Sequence, residues 1–342
     1  MSKLYIGLDV SNALTSICAI DQAGEIAFEL KVASDPDAIA AALRPHKRKI
    51  VVVGHEAGSL SQWLHVGMIR HRLPVRCLDS SHAHAALKAQ RHKTDRNDAL
   101  GIARIVKSGW VRDAHIRSPR SAQLRMALIM RRTLQRKIID LELCLRQSVK
   151  VFGVKVGASN RKDFADKLRG AIGDDKLLQA IVHGVLRGRA ALYEEFILVE
   201  RELVKVAESD DVCRRLMTVP GVGPITALWF KATVDDPTRF GRSRLLGVYF
   251  GLTPRRRQSG EHDGRGSISK RGDPSVRSLL CFCAGSVLRA KAPSRLKLWA
   301  VALRKRASYG QTCVAVARKV CAILHRIWIS GGVFDPGLPA QP

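Results

Sequence analysis

Four carboxylates in the first hundred residues have types and spacings that could hold a metal ion. Asp9 stands at the end of a short apolar run (residues 3–10) and Glu56 at the end of a second, continuous one (residues 49–55). Asp95 and Asp98 stand three apart in the string KTDRNDA. On a helix, residues three apart share a face, so these two carboxylates repel one another and a divalent cation would relieve the repulsion. Oxygen donors without a companion set of Cys or His point to Mg2+ or Mn2+ rather than zinc. Beside His92, Lys93 and Arg96, the pair Asp95 and Asp98 also reads as an ordinary charged surface. What favours the metal reading is the company of Asp9 and Glu56, both at strand ends.

A second region combines hydroxyls, glycines and cations. Residues 254–273 read PRRRQSGEHDGRGSISKRGD, in which Arg255, Arg256, Arg257, Arg265, Lys270 and Arg271 surround Ser259, Ser267 and Ser269. Glycines at 260, 264, 266 and 272 let backbone amides approach a phosphate closely, which favours a binding loop over a merely solvated one. Upstream, the string VPGVGPITA (residues 219–227) has the hydrophobic-Gly-x-Gly turn of helix-hairpin-helix elements. There Gly221 and Gly223 would present N–H groups to a phosphate at the start of a helix.

The charge balance agrees. The 342 residues carry 58 Lys+Arg against 30 Asp+Glu, a formal net charge of +28. Residues 239–306 hold 17 Lys/Arg against three acids (Glu261, Asp263, Asp273), half that excess in a fifth of the length. Such an excess calls for a polyanion, and nucleic acid is the expected one, because neutralised phosphates release counterions. Other classes drop out. A 46% hydrophobic content excludes general disorder, and no GxxxxGK[ST] string supports an ATPase. The eight cysteines are scattered without a CxxC, which argues against a zinc ribbon or a disulfide framework. No run of 18 apolar residues occurs and the start lacks a signal-peptide core, so the expectation is a cytoplasmic protein of a reducing compartment, with no membrane partner.

The elements that must position these residues can also be read. Residues 3–33 predict three antiparallel strands, followed by a short helix (37–43), a buried strand (49–55), a helix (61–70), a strand (74–79) and a helical stretch (82–107). Three antiparallel strands and then alternating helix and strand is the layout of the ribonuclease H-like fold. Residues 121–152 and 177–207 predict two long helices. Their heptad-like seams run through Leu134, Ile138, Leu141, Leu145, Ser148 and Phe152, and through Leu192, Phe196, Val199, Leu203 and Val206. The pair reads as an antiparallel hairpin or a dimerising coiled coil, with Gly153, Gly157, Gly170 and the polar residues 158–168 at the joint. A mainly α-helical C-terminal part follows, including a helix over residues 274–288.

The order GLDVS, VVGHEAG, KTDRNDA resembles the DEDD-type insertion-sequence transposases, and the string from GLTP through SG to SKRGD is similar to the C-terminal domain of the same family. One departure is visible: HEAGSL stands where the family has an E-A-T-G-x-Y pattern, so the acid is kept and the flanking Thr and aromatic are not. The resemblance spans almost the whole chain. It implies a RuvC-like ribonuclease H-fold domain (1–115), a helical, dimerising middle (116–208) and a C-terminal transposase domain (209–342). It further implies that Asp9, Glu56, Asp95 and Asp98 bind the divalent metal and that Ser259 attacks DNA to form a 5′-phosphoserine intermediate, at a composite site joining the two domains. Arg255, Arg256, Arg257, Lys270 and Arg271 could stabilise the transition state. The partners implied are donor and target DNA, a structured bridge RNA that pairs with both, and further copies of the chain in a dimer or tetramer. The setting implied is a bacterial or archaeal cytoplasm, at the nucleoid. Two competing readings remain: a metal-dependent nuclease resembling a Holliday-junction resolvase and using water, and a non-enzymatic nucleic-acid-binding protein.

Overall fold

The computed structural model describes residues 3–88, 94–157, 159–160, 163–259 and 262–337, and within 256–265 the main chain only. Gly260 and the side chains of Arg256, Arg257, Ser259 and Arg265 therefore lie outside the described part. The chain divides into two compact units, Met1–Arg117 and Ser118–Pro342.

In the first unit, β1 (Leu4–Val10), β2 (Leu14–Ile20) and β3 (Ile26–Ala33) form the expected antiparallel meander. Asp35 then opens α1 (Pro36–Leu43), its carboxylate accepting the N–H groups of Asp37 and Ala38. A single 3-10 segment leads into β4 (Ile50–Glu56), which pairs parallel with β1. The unit continues through α2 (Ser61–Arg70), β5 (Val75–Leu78, parallel to β4), α3 (Ser80–Leu87) and α4 (Asp95–Ser108). The sheet order β3-β2-β1-β4-β5 is a mixed sheet compatible with the ribonuclease H-like layout.

Strand side chains alternate between two cores. Leu4, Ile6 and Leu8 of β1 and Val53 of β4 pack with Ile39 and Leu43 of α1 and Leu64 and Met68 of α2. The opposite face receives α3 and α4 through Val52, Leu78, Ala83, Ile102 and Val106. The stretch 82–107, expected as one helix, contains two. Thr94 takes an extended conformation and its side chain accepts the N–H of Asn97, which starts α4 afresh.

The second unit is helical apart from one hairpin. Its elements are α5 (Pro119–Ser148), α6 (Phe164–Ala171), α7 (Lys176–Ser209), α8 (Asp211–Leu216), α9 (Pro224–Val234), α10 (Leu245–Tyr249), β6 (Pro254–Ser259), β7 (His262–Ile268), α11 (Pro274–Arg289), α12 (Arg295–Arg304) and α13 (Tyr309–Ser330). Helices α5 and α7 run antiparallel, since Arg131 pairs with Glu200 and Glu142 with Arg189. Ile138 and Leu145 are buried on α5, and Phe196 and Leu203 on α7. The seam stops short of the expected length, because Ser148 and Phe152 are exposed. The expected polar joint contains α6, and Gly170 lies inside that helix. Phe164 and Leu168 of α6 are buried with Leu145, Val149, Val182 and Leu186, so an apolar satellite core closes the hairpin. Helix α9, buried almost throughout, is the axis of the main core, with α5, α7, α8 and α11 packed around it.

Candidate active-site residues

The parallel register of β1 and β4 sets Gly7 beside Gly54 and Leu8 beside His55. Asp9 and Glu56 are the next residues of the two strands. Period-two alternation puts each acid on the face of the glycine two residues before it, and that face is covered by α4. The glycines are required there. A Cβ on Gly7 would lie 2.0 Å from the Ala99 carbonyl oxygen and 2.4 Å from the Ala103 nitrogen, and one on Gly54 would lie 2.4 Å from Val106 Cγ1. Helix α4 thus rests on bare backbone, and the two acids stand half-buried at the rim of that contact.

The main chain at Glu56 is held by groups that sequence reading passed over. Ser61 Oγ donates to the Glu56 carbonyl (2.9 Å) and accepts the Gly58 N–H (2.5 Å). His55 Nδ1 lies 3.2 Å from the same carbonyl, and its Nε2 lies 3.2 Å from His65 Nδ1. Burial, and then the neighbouring His65, pushes His55 down to about 4, so the inner imidazole is neutral near pH 7. A Ser five residues after a strand-ending acid was the available signal for this turn.

Asp95 and Asp98 stand in the first turn of α4, where the helix dipole favours carboxylates. The exposed Asp95 reaches Lys31 Nζ on β3 at 3.5 Å, and neighbouring Arg96 pairs with Glu29 at 2.6 Å. Asp95 and Arg96 also line a cavity of about 520 Å³ with Ser16, Cys18 and Thr94. Asp98, half-buried, stands one turn before Ile102, whose side chain lies against Gly54. The all-carboxylate donor set suits a hard divalent cation, with Asp9 and Glu56 near the ends of adjacent parallel strands and Asp98 in the first turn of the helix packed on them. Among the described residues no three Asp, Glu, His or Cys side chains come together as a group that could hold a metal ion.

In the second unit, the region expected as a glycine-rich binding loop is a β-hairpin. Pairing runs from Pro254 opposite Ile268 to Ser259 opposite His262, so Ser259 is the last residue of β6. Gly264 and Gly266 lie in β7. Gly272, expected to face a phosphate, instead faces protein. With φ +76°, a Cβ there would lie 2.1 Å from the Tyr249 carbonyl oxygen. Gly251, at φ +65°, is pressed as closely on Arg271, its Cβ position 2.2 Å from the Arg271 carbonyl oxygen. These two turns interlock beneath the hairpin. Arg277 Nη1 secures them by donating to the carbonyls of Phe250 (3.1 Å) and Arg271 (3.0 Å). Arg255, Lys270 and Arg271 are exposed at this root, with Arg255 Nη2 donating to the Ser269 carbonyl at 3.2 Å.

Asp273 ends the SKRGD string and caps α11, accepting the N–H groups of Ser275 and Val276. It also pairs at 2.7 Å with Arg125 of α5, whose guanidinium donates to Thr233 Oγ1 and lies 5.3 Å over the Trp229 ring. Burial alone would raise the Asp273 carboxyl, but Arg125 and the capping N–H groups hold it below its ordinary value. Arg125 was not singled out from the sequence, where it is one cation among many. Of the two turn glycines, Gly221 (φ +83°) is demanded by packing, since a Cβ would lie 2.6 Å from Ser286 Cβ. Gly223 opens α9, and no atom lies within 4 Å of its Cβ position, so it alone has the free approach a phosphate needs.

All eight cysteines are free thiols, and burial pushes Cys18 up to about 11 and Cys213 up to about 12. Those two are inert at neutral pH. Among the described residues no helix is long and apolar enough to cross a membrane.

Residues 6–152 match a transposase family model of the DEDD IS110 type, and residues 213–300 match that of the transposase IS116/IS110/IS902 family. The transposase of insertion sequence element IS1111A from Coxiella burnetii is 28% identical over 329 residues, covering 93% of this chain and 88% of that one. The transposase of insertion sequence element IS1328 from Yersinia enterocolitica is 32% identical over 146 residues, 42% of this chain and 44% of that one. The pilin gene-inverting protein of Moraxella lacunata is 23% identical over 353 residues, 98% of each chain. The chain belongs to the IS110 family of DEDD transposases, enzymes of DNA transposition.

Proposed function

We propose that this transposase cuts and rejoins DNA through attack by Ser259 on a phosphodiester, assisted by a divalent cation, Mg2+ or Mn2+, at Asp9, Glu56, Asp95 and Asp98. The observation that carries the reading is the parallel register of β1 and β4, whose last pair, Leu8 with His55, puts Asp9 and Glu56 each one residue further along adjacent strands. Ser259 at the end of β6, on a hairpin rooted by Gly251 and Gly272, supports the second half.

In the proposed reaction the serine Oγ–P bond forms as the P–O3′ bond breaks. The serine proton is given up, the 3′ oxygen leaves with a proton, and the 5′ phosphate stays on the protein. Attack by the 3′ hydroxyl of another strand reverses the step, so bond energy is conserved and no nucleotide triphosphate is required. A divalent cation, when bound, would polarise the phosphate. Arg255, Arg256, Arg257, Arg265, Lys270 and Arg271 would stabilise the charge that builds on the phosphorus oxygens and grip the flanking strand. Gly221 and Gly223 belong to the turn that would meet a further phosphate. A relative named for inverting a gene favours a reaction that rejoins strands over one that only cuts them.

The reading extends to a structured bridge RNA that pairs with donor and target DNA, and to a dimer or tetramer formed through the α5–α7 hairpin. Both rest on the family resemblance, with the basic charge and the long helices agreeing. The test is a denaturing gel of element-end DNA incubated with Mg2+ and either wild type or Ser259→Ala. A covalent protein–DNA adduct is expected with wild type alone, with strand exchange reduced at least about 10³-fold in the variant. Undiminished Mg2+-dependent cutting by Ser259→Ala, with no adduct from wild type, would establish hydrolysis by water instead.

A further inference from the structure

The C-terminal helices carry a feature that neither candidate site uses. Residues 274–334 contain 11 Lys/Arg and no Asp or Glu. Within this stretch α11, α12 and the start of α13 line an open cleft of about 480 Å³, to which Leu288, Val301, Arg304, Lys305 and Tyr309 contribute. Tyr309 is 50% exposed and Val301 43% exposed. The Tyr309 hydroxyl and the Arg289 guanidinium meet over Gly285, whose Cβ position lies 3.2 Å from the former and 3.3 Å from Arg289 Nη1. Two turns before Arg289 on the same side of α11, Phe282 is 70% exposed.

An apolar floor with an exposed phenol ring and a rim of cations selects a ligand that is both flat and anionic. A bare phosphate has no use for the ring. Duplex DNA offers phosphates but keeps its bases stacked inside. An unpaired nucleotide offers a π face and a phosphate together, and base stacking on an aromatic ring with cations along the backbone is how single strands are held. A protein partner of ordinary composition would bring mixed charges to a rim that has only one sign.

We propose that this cleft holds an unpaired stretch of the DNA strand, with a base stacked on Tyr309, its phosphates on Arg289, Arg304 and Lys305, and Phe282 as the next stacking surface. DNA is chosen over RNA because a transposase itself frees strand ends as it works. The inference rests on that class and not on Ser259 or the metal.

The test is fluorescence anisotropy of the full chain with labelled oligo-dT, the matching oligo-U and a DNA duplex of equal length. Tyr309→Ala is expected to weaken oligo-dT binding about tenfold and leave duplex binding unchanged, and Tyr309→Phe is expected to retain wild-type affinity. Arg304→Gln should weaken oligo-dT binding and lower its salt slope by about one. The measurements are made without divalent cation, so that binding is read apart from the proposed chemistry. An equal loss on duplex, no loss at all, or a loss confined to oligo-U would overturn the proposal. Unchanged duplex binding also shows that the variant is folded.

Discussion

The two candidate sites rest on the same device, a pair of glycines that lets backbone meet backbone, and they use it differently. Gly7 and Gly54 stand two residues before Asp9 and Glu56 on the same face, so the contact with α4 and the candidate ligands share one rim. Gly251 and Gly272 secure the root of a hairpin whose far end carries Ser259, about 17 Å along β6 at ordinary strand rise. The acids are therefore fixed by the central sheet itself. The serine is presented at a distance from its support. Substitutions at the acids' glycines should damage fold and chemistry together, whereas the serine can be removed with the fold intact.

Four measurements sharpen or break that contrast, in order of expected effect. Asp9→Asn and Glu56→Gln should each lower strand exchange about 10³-fold with DNA binding retained, whereas Asp95→Asn, whose carboxylate is shared with Lys31, should cost closer to tenfold. Equal losses at all three positions would mean that Asp95 leaves Lys31 in the working state. If Asp9→Asn leaves exchange untouched, the chain's metal chemistry lies elsewhere. Next, Arg125→Met strips the partner from a mostly buried Asp273 and should destabilise the second unit by about 3 kcal/mol, read by denaturant unfolding.

Gly7→Ala forces a Cβ into the backbone of α4 and should cost about 2–3 kcal/mol. Gly109→Ala, left-handed but in open space, should cost only about 1 kcal/mol. Similar values for the two would show that α4 yields easily, and the proposed rigidity of the acid rim would fail. The smallest effect concerns pH. The Asp273 carboxyl is held below its ordinary value of 3.8, so its contribution is complete above that value and is lost as pH falls through the lower folded-state value. Asp273→Asn should flatten that part of the acid-unfolding curve, and an unchanged curve would mean that the pair with Arg125 does not hold in solution.

Much of the first unit was legible because its signals are local. Residues 3–33 hold three short apolar runs bounded by polar turn residues, and the run at 49–55 is nearly all apolar, which together specify the meander and the buried strand. Even the acids carried a local mark, Gly-Leu-Asp at 7–9 and Gly-His-Glu at 54–56, with glycine and carboxylate two apart on one face. The break in the stretch 82–107 was harder to read, since alanines on both sides favour helix and the capping Thr94 is a weak local signal between them. In the second unit, residues 254–273 read as a loop because glycines and serines punctuate them. Pairing between the two arms overrides that signal. Gly170 misled for a similar reason: a helix docked on an apolar core tolerates a glycine that propensity alone would place in a turn.

By itself, the sequence determined the transposase family, the element order of the first unit and the location of the charge excess. Those follow from residue type and short-range periodicity. Only the tertiary structure decided that the strands of Asp9 and Glu56 are parallel neighbours, that Asp95 leans to Lys31, that Gly272 faces Tyr249 rather than a phosphate, and that Arg125 reaches across to Asp273. Each of these is a meeting of residues far apart in the chain, set by strand register and helix packing, which no local pattern encodes.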